Sequence, residues 1–358
     1  MFYIVIMAGG KGERFWPKSV RRKPKQFHRI VSERTMIQES FFRVFPEVKQ
    51  ENIFIVAGED LKQLIFDQLP QLEEKNLVVE PEGKNTAAAI GLAAVYLSKK
   101  NPDATMVVLT ADHAVKPRRE FIRAIETAVK VAQEGWLVTF GIRPDRPATE
   151  YGYIETGGKL EGDFDLDVYT VKQFREKPSY ERALAFIEEG SFLWNSGMFT
   201  FSLKSILDAM LTHMPSLHSV LMKIYNSIGT EEEDAVKQRE FKRLESISID
   251  YGVMERADNI CCVRPNFLWD DVGSWSAISR HWPTDRDGNI LQGNVITVDA
   301  KNNIVIGEDE SIISMVGISD AIVVKEGDKL LICHREQDQK VKEIIKALWG
   351  NEKYVKFR

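Results

Sequence analysis

The apolar run Phe2-Tyr3-Ile4-Val5-Ile6-Met7 reads as a buried strand, and it runs directly into Ala8-Gly9-Gly10-Lys11-Gly12-Glu13-Arg14-Phe15-Trp16-Pro17. Glycine at positions 9, 10 and 12 lets the backbone turn sharply and brings several N–H groups close to an anion. Arg14, and Lys25 within Pro24-Lys25-Gln26, add two positive charges beside that cradle. A strand, a glycine turn, an arginine and a lysine together describe a site for a nucleoside triphosphate. Two familiar phosphate motifs are excluded. The segment lacks the Gly-x-x-x-x-Gly-Lys-Ser/Thr spacing of a P-loop, and Gly10-x-Gly12 is followed by Phe15 rather than the last glycine of a dinucleotide fingerprint.

The first half alternates strand-like and helix-like segments. Strands are expected at Phe2–Met7, Ile53–Ala57, Leu77–Val79, Met106–Thr110 and Leu137–Gly141, with helices near Met36–Phe45, Asp60–Leu69, Thr86–Lys99 and Glu120–Gln133. That order predicts an α/β fold whose mostly parallel sheet has helices on both faces and ligands at the strands' carboxyl ends. From Tyr151 the order becomes mixed, with strands expected at Tyr151–Glu155, Tyr169–Phe174 and Met198–Phe201 and helices at Tyr180–Glu189, Leu203–Met210 and Glu240–Leu244. The acidic run Thr230–Asp234 reads as a solvated loop or helix start. Pro283–Asn289 is turn-rich and predicts a boundary between domains at 1–284 and 285–358. Beyond it, short apolar strands recur every 8–10 residues or so, as in a small sheet or irregular β-solenoid, and a helix near Gln337–Leu348 follows.

With 358 residues the chain has room for one large domain and a smaller one. A net charge of −5 without a long Lys/Arg tract argues against a nucleic-acid partner. Cys261, Cys262 and Cys333 have neither a disulfide framework nor zinc spacing. There is no signal-peptide pattern, and no apolar run approaches the ~20 residues of a membrane span. A cytoplasmic protein with no membrane partner is expected.

Several polar residues stand where chemistry needs them. Asp112 ends the run Met106–Ala111 and is placed to hold Mg²⁺ on a triphosphate, since magnesium takes few carboxylates plus phosphate and water oxygens. His113 beside it reads as a hydrogen-bonding neighbour. Within Trp269-Asp270-Asp271-Val272-Gly273-Ser274-Trp275 one aspartate is a candidate second metal ligand, Asp271 being preferred, although composition does not decide which of the pair points inward. Asn85 is a natural helix N-cap. Glu80 could accept both adjacent donors of a guanine, or could equally be a surface glutamate before a turn. Glu176-Lys177-Pro178, Trp194-Asn195-Ser196 and Tyr151-Gly152-Tyr153 each offer groups suited to sugar hydroxyls or a phosphate monoester, weakly when taken singly.

Taken in order, the glycine loop with Arg14, Pro24-Lys25-Gln26, Leu109–His113, Glu176-Lys177-Pro178, Asn195-Ser196-Gly197 and Trp269–Trp275 resemble the sugar-nucleotidyltransferases. Glu80-Pro-x-Gly-Lys-Asn85-Thr86-Ala and Gly317–Ala321 look like the mannose-1-phosphate guanylyltransferase branch, and the resemblance covers nearly the whole chain. It implies a Rossmann-like, glycosyltransferase A-like mixed sheet flanked by helices, with a small β-rich C-terminal domain resembling a short left-handed β-helix. It also implies a reaction, in which mannose 1-phosphate attacks the α-phosphorus of GTP to give GDP-mannose and pyrophosphate. In that reading Arg14 and Lys25 are catalytic. Ala8, Gly9, Gly10, Gly12, Glu80, Asn85, Thr86 and Asp112 hold the nucleotide, while Gly152, Glu176, Lys177 and Asn195 hold the sugar phosphate. Asp112 and Asp271 carry Mg²⁺, and the tail supports a homodimer with a single activity. Glu13 stands where the family often carries threonine, and Asp270 where asparagine or serine is common. A nucleotidyltransferase of the same fold for another hexose 1-phosphate, or a non-catalytic nucleotide-sugar-binding relative, are the competing readings.

Overall fold

Residues 2–7 are apolar at every position, as a strand covered on both faces must be. In the structure, a computed structural model describing residues 1–10 and 12–357, they form β1 (Phe2–Met7), and Lys11 of the glycine turn and Arg358 lie outside the described residues. Eight further strands complete the main sheet: β2 (Ile53–Gly58), β3 (Leu77–Glu80), β4 (Thr105–Thr110), β6 (Leu137–Ile142), β7 (Gly152–Lys159), β8 (Val168–Glu176), β9 (Phe192–Ser202) and β10 (Ile260–Val263), in the order β3-β2-β1-β4-β9-β6-β10-β8-β7. A separate antiparallel pair, β5 (Ala114–Lys116) and β11 (Leu268–Asp270), links the two segments that carry Asp112 and Asp271.

Alternation along the strands assigns each face. Ile4 and Ile6 join the core under α1 (Met36–Val44), α2 (Lys62–Gln68), α4 (Arg118–Gln133) and α5 (Tyr180–Glu189). Tyr3 and Val5 point the other way, into the core with α3 (Asn85–Lys100), α6 (Leu203–His213), α7 (Pro215–Ser227) and α8 (Glu233–Phe241). The small residues of α3 permit close packing: a Cβ on Gly91 would stand 2.5 Å from Leu221 Cδ1 of α7.

β3, β2, β1 and β4 are parallel and in register, with Gly58 opposite Glu80, Met7 opposite Val56, and Met7 opposite Thr110. The segments that leave their carboxyl ends are therefore neighbours, and these are Glu80, the glycine turn after Ala8 and the turn at Asp112. The sheet as a whole is mixed, because β9 runs antiparallel to both β4 and β6.

Four local expectations are corrected. The strand expected at Met198–Phe201 begins at Phe192, so Asn195 and Gly197 lie inside it, at an irregularity in its pairing with β6. The helix expected at Glu240–Leu244 is α8, which starts in the acidic run, where carboxylates suit a helix N-terminus. α7 has no counterpart among the expected helices. Asn85 is not the N-cap of α3, a place taken by Lys84. It is the first helical residue, held at φ 68° with its Oδ1 accepting the Thr86 N–H at 2.8 Å, a conformation asparagine adopts more readily than most residues.

After residue 289 the chain coils. β12 (Ile290–Gln292), β14 (Ile304–Ile306) and β16 (Ala321–Glu326) stack in parallel, β13 (Asn294–Val298) pairs in parallel with β15 (Ile312–Val316), and β17 (Lys329–His334) returns antiparallel to β16. Buried asparagines join the rungs. Asn303 donates its side-chain N–H to Asn289 Oδ1 at 3.0 Å, and its own Oδ1 accepts from Ala321 N at 2.9 Å. The final helix, α9 (Val341–Trp349), folds back onto the first domain. Val341 and Ile345 share one core with Phe15, Trp16, Val272, Trp275, Ile290, Ile304 and Ile322.

Candidate active site

Beneath the glycine turn lies a cleft of about 470 Å³ lined by Gly12, Arg14, Lys25, Asp112 and Asp271 among others. Lys25 is its hub. The residue is 3 % exposed, and its Nζ donates to Asp112 Oδ2 at 3.0 Å, to the Asp112 carbonyl at 2.8 Å and to the Asp271 carbonyl at 2.8 Å. One ammonium thus fixes two loops that are far apart in sequence. Gln26 completes the Pro-Lys-Gln triplet by donating to the Ala8 carbonyl at 2.6 Å, which anchors the start of the glycine turn. Gly12 is required where it stands: its φ is +58°, and a Cβ would come 2.3 Å from Lys25 Cβ. Arg14 Nη1 donates to the Gly273 carbonyl at 3.0 Å, so the arginine reaches the same turn that carries Asp271.

Asp112 rests on a buttress from α1. Ser40 donates to the Thr110 carbonyl at 2.9 Å, and buried Arg43 to the His113 carbonyl at 2.7 Å. Burial alone would push the Asp112 carboxyl up, but Lys25 and His113 outweigh it and hold it below the usual carboxylate range. His113 is a neighbour, as expected: burial lowers its pKa, and its Nδ1 accepts from Trp269 Nε1 at 3.1 Å.

The aspartate pair separates cleanly. Asp270 turns away into a bond from Arg280 at 2.6 Å and a contact with His281 at 2.8 Å, which accounts for an acidic residue in that place. Asp271 faces the cleft. Its Oδ1 accepts from Tyr151 OH at 2.7 Å and from Gly273 N at 3.1 Å. Asp112 Oδ1 and Asp271 Oδ2 accept no hydrogen bond from another side chain among the described residues.

A second, larger cleft of about 850 Å³ shares Glu13 with the first and is lined by Gly9, Gly10, Glu80 and the end of α9. Glu80 is 6 % exposed, with one carboxylate oxygen lacking a partner. With no cation among the described residues to offset it, burial pushes this carboxyl up to about 7. A Cβ on Gly9 would lie 3.5 Å from Glu80 Oε2, so the bare backbone of the turn sits next to the acid. Asn85 and Thr86 do not line this cleft. The Thr86 hydroxyl is occupied in accepting the Ile249 N–H at 2.8 Å.

The four candidate sugar-phosphate residues do meet. A Cβ on Gly152 would stand 2.1 Å from Glu176 Oε1, Glu176 pairs with Lys177 at 3.0 Å, and Asn195 lies within 3.5 Å of that hypothetical Cβ. Residues that sequence reasoning passed over complete this corner. Asp250, in a π-turn at Asp250–Met254, accepts from Asn195 Nδ2 at 2.8 Å, and burial together with the Glu176 charge raises its pKa. Tyr151 bridges the corner to Asp271, with Arg146 donating to its hydroxyl at 3.0 Å. Tyr151 was legible only as a flank of Gly152, and Asp250 carried no local signal.

Known proteins match the chain along nearly its whole length. Residues 3–287 match the Nucleotidyl transferase family, and residues 293–348 match the MannoseP isomerase/GMP-like beta-helix domain. The mannose-1-phosphate guanylyltransferase of Klebsiella pneumoniae is 36 % identical over 99 % of this chain and 75 % of its own length. That of Escherichia coli K12 is 36 % identical over 97 % of this chain and 73 % of its own. The crystal structure of a mannose-1-phosphate geranyltransferase, as it is named, from Thermus thermophilus superposes with a TM-score of 0.87 at 33 % identity, covering 97 % of this chain and 99 % of that one. The chain belongs to the mannose-1-phosphate guanylyltransferase family of nucleotidyl transferases.

Proposed function

We propose that the chain transfers GMP from GTP to α-D-mannose 1-phosphate, giving GDP-mannose and pyrophosphate. The observation that carries the reading is the Lys25 knot, which sets two carboxylates and Arg14 in one cleft, between the glycine turn and the sugar-phosphate corner. The sugar phosphate is already a competent nucleophile, so no general base is needed. Its oxygen forms a bond to the α-phosphorus while the α–β bridging bond breaks and pyrophosphate leaves with that electron pair. The protein's part is alignment and charge neutralisation.

Arg14 and Lys25 meet the developing charge. The backbone at Ala8, Gly9, Gly10 and Gly12 cradles the nucleotide, and Glu80 reads guanine through its ring N–H and exocyclic amine. Asn85 and Thr86 serve the nucleotide only through the placement of α3. Gly152, Glu176, Lys177 and Asn195 hold the mannose 1-phosphate. Asp112 and Asp271 would hold Mg²⁺, because Asp112 Oδ1 and Asp271 Oδ2 are left outside the hydrogen bonds from other side chains and magnesium takes few carboxylates beside phosphate and water oxygens. When bound there, it neutralises phosphate charge.

The chain works as a cytoplasmic homodimer of two-domain subunits divided near residue 284, without nucleic-acid or membrane partners. No helix among the described residues is long and apolar enough to cross a membrane. The exposed faces of β13 and β15, bearing Ile296, Val298, Ile312 and Val316 at 51–69 % exposure, support pairing with a second copy. Product identity tests the reading: GTP and mannose 1-phosphate should yield GDP-mannose and pyrophosphate in equal amounts. GDP and orthophosphate as products would contradict it.

A further inference from the structure

α9 belongs to the C-terminal domain, yet it walls both clefts of the first. Lys342 lines the cleft of Arg14, Lys25, Asp112 and Asp271, while Ile345, Leu348 and Trp349 line the one holding Gly9, Gly10 and Glu80. Positions 342, 345 and 349 fall on one helical face. The helix is held there by bonds to both functional turns. Asp338 Oδ2, just ahead of α9, accepts from Ser276 N at 2.8 Å, and Ser276 Oγ donates to the Arg335 carbonyl at 2.9 Å. Trp275 Nε1 donates to the Trp16 carbonyl at 3.0 Å, and Trp16 Nε1 to the Phe357 carbonyl at 3.2 Å. The Asp271 turn, the glycine turn and the tail are therefore one packed unit.

The cations of the cleft are unequally committed. Lys25 is bonded to the Asp112 carboxylate and to two carbonyls, and Arg14 is bonded to the Gly273 carbonyl. Lys342 makes no hydrogen bond or ion pair among the described residues, and its side chain is exposed at the cleft's rim. In-line displacement sends pyrophosphate away from the attacking sugar phosphate. None of Gly152, Glu176 or Asn195 lines this cleft, whereas Lys342 does, so Lys342 stands apart from the sugar-phosphate corner.

The geometry points to Lys342 as a phosphate-binding residue that the C-terminal domain contributes, its ammonium meeting the β- and γ-phosphates that leave as pyrophosphate. This rests on the nucleotidyl-transfer reading. The β-helix domain is then part of the active site of its own subunit.

Lys342→Ala and Lys342→Arg in the full chain test it, with kinetics in both directions. Lys342→Ala should raise KM for GTP, and for pyrophosphate in the reverse reaction, by roughly tenfold, the loss of one charge-assisted contact. KM for mannose 1-phosphate and Tm should be unchanged, and Lys342→Arg should restore most of the loss. KM values for GTP and pyrophosphate both within twofold of wild type would overturn the assignment, as would a rise confined to mannose 1-phosphate. Calorimetric binding of inorganic pyrophosphate separates the two claims, because it needs no turnover. If the wild type turned over no substrate pair, the transfer reading would fall, while weaker pyrophosphate binding by Lys342→Ala would still uphold the site and equal binding would overturn it.

Discussion

Burial holds the Glu80 carboxyl near neutrality while no base is bound, and two measurable consequences follow. Its ordinary value is 4.5 and its folded value about 7, so between those pH values the folded chain keeps a proton that the unfolded chain has lost. Stability therefore falls as pH rises from 4.5 to 7 and stays lower above. Glu80→Gln removes that penalty and should stabilise the apo protein at pH 8 by up to about 3 kcal/mol, with little gain near pH 4, as read by denaturant unfolding. In the proposed role of Glu80 guanine's donors need the ionised acid, so wild-type KM for GTP should climb toward tenfold per pH unit below 7, while the Gln variant shows no such climb and loses its preference for GTP over ATP by at least about tenfold. Lys25 differs in kind. Lys25→Ala should lower kcat by about 10³-fold or more and also cost about 1–3 kcal/mol of stability, since it unties two loops and strips a partner from Asp112. Arg14→Ala, at a half-buried position with one carbonyl contact, should lose activity with almost no change in Tm.

At the scale of elements, the glycine turn carries the tightest local requirement. Gly12→Ala puts a Cβ into Lys25 at a left-handed φ, so it should cost about 1–2 kcal/mol and more than tenfold in kcat/KM. Retention of full activity would mean that Lys25 does not need its present position. The turn, Asp112 and Glu80 were legible because each follows an apolar strand, and neighbouring parallel strands bring their carboxyl ends together. Asp271 could be preferred but not chosen from sequence, because Arg280 and His281, which draw Asp270 away, reveal nothing until the chain folds. Tyr151 and Asp250 were hidden for the same reason. Their partners Asp271 and Asn195 lie 120 and 55 residues away in sequence, beyond any local pattern. In the β-helix the joining asparagines Asn289 and Asn303 are 14 residues apart, while the next rung is met through the backbone of Ala321, so no regular repeat announces the coil.

For the whole molecule, the shared core from Phe15 to Ile345 makes the C-terminal domain a support for both functional turns rather than an appendage. The exposed apolar face of β13 and β15 gives the quaternary prediction: Ile312→Lys should shift the species seen by light scattering from dimer to monomer while the fold is kept, and a wild-type monomer at micromolar concentration would contradict it. The central claim concerns the reaction. Its most direct test is pyrophosphate release with Mg²⁺, crossing GTP, ATP, dTTP and UTP against mannose 1-phosphate and glucose 1-phosphate. Release should be fastest with GTP and mannose 1-phosphate. Faster release with any other pair, or none from folded protein that still binds GTP, would contradict the account.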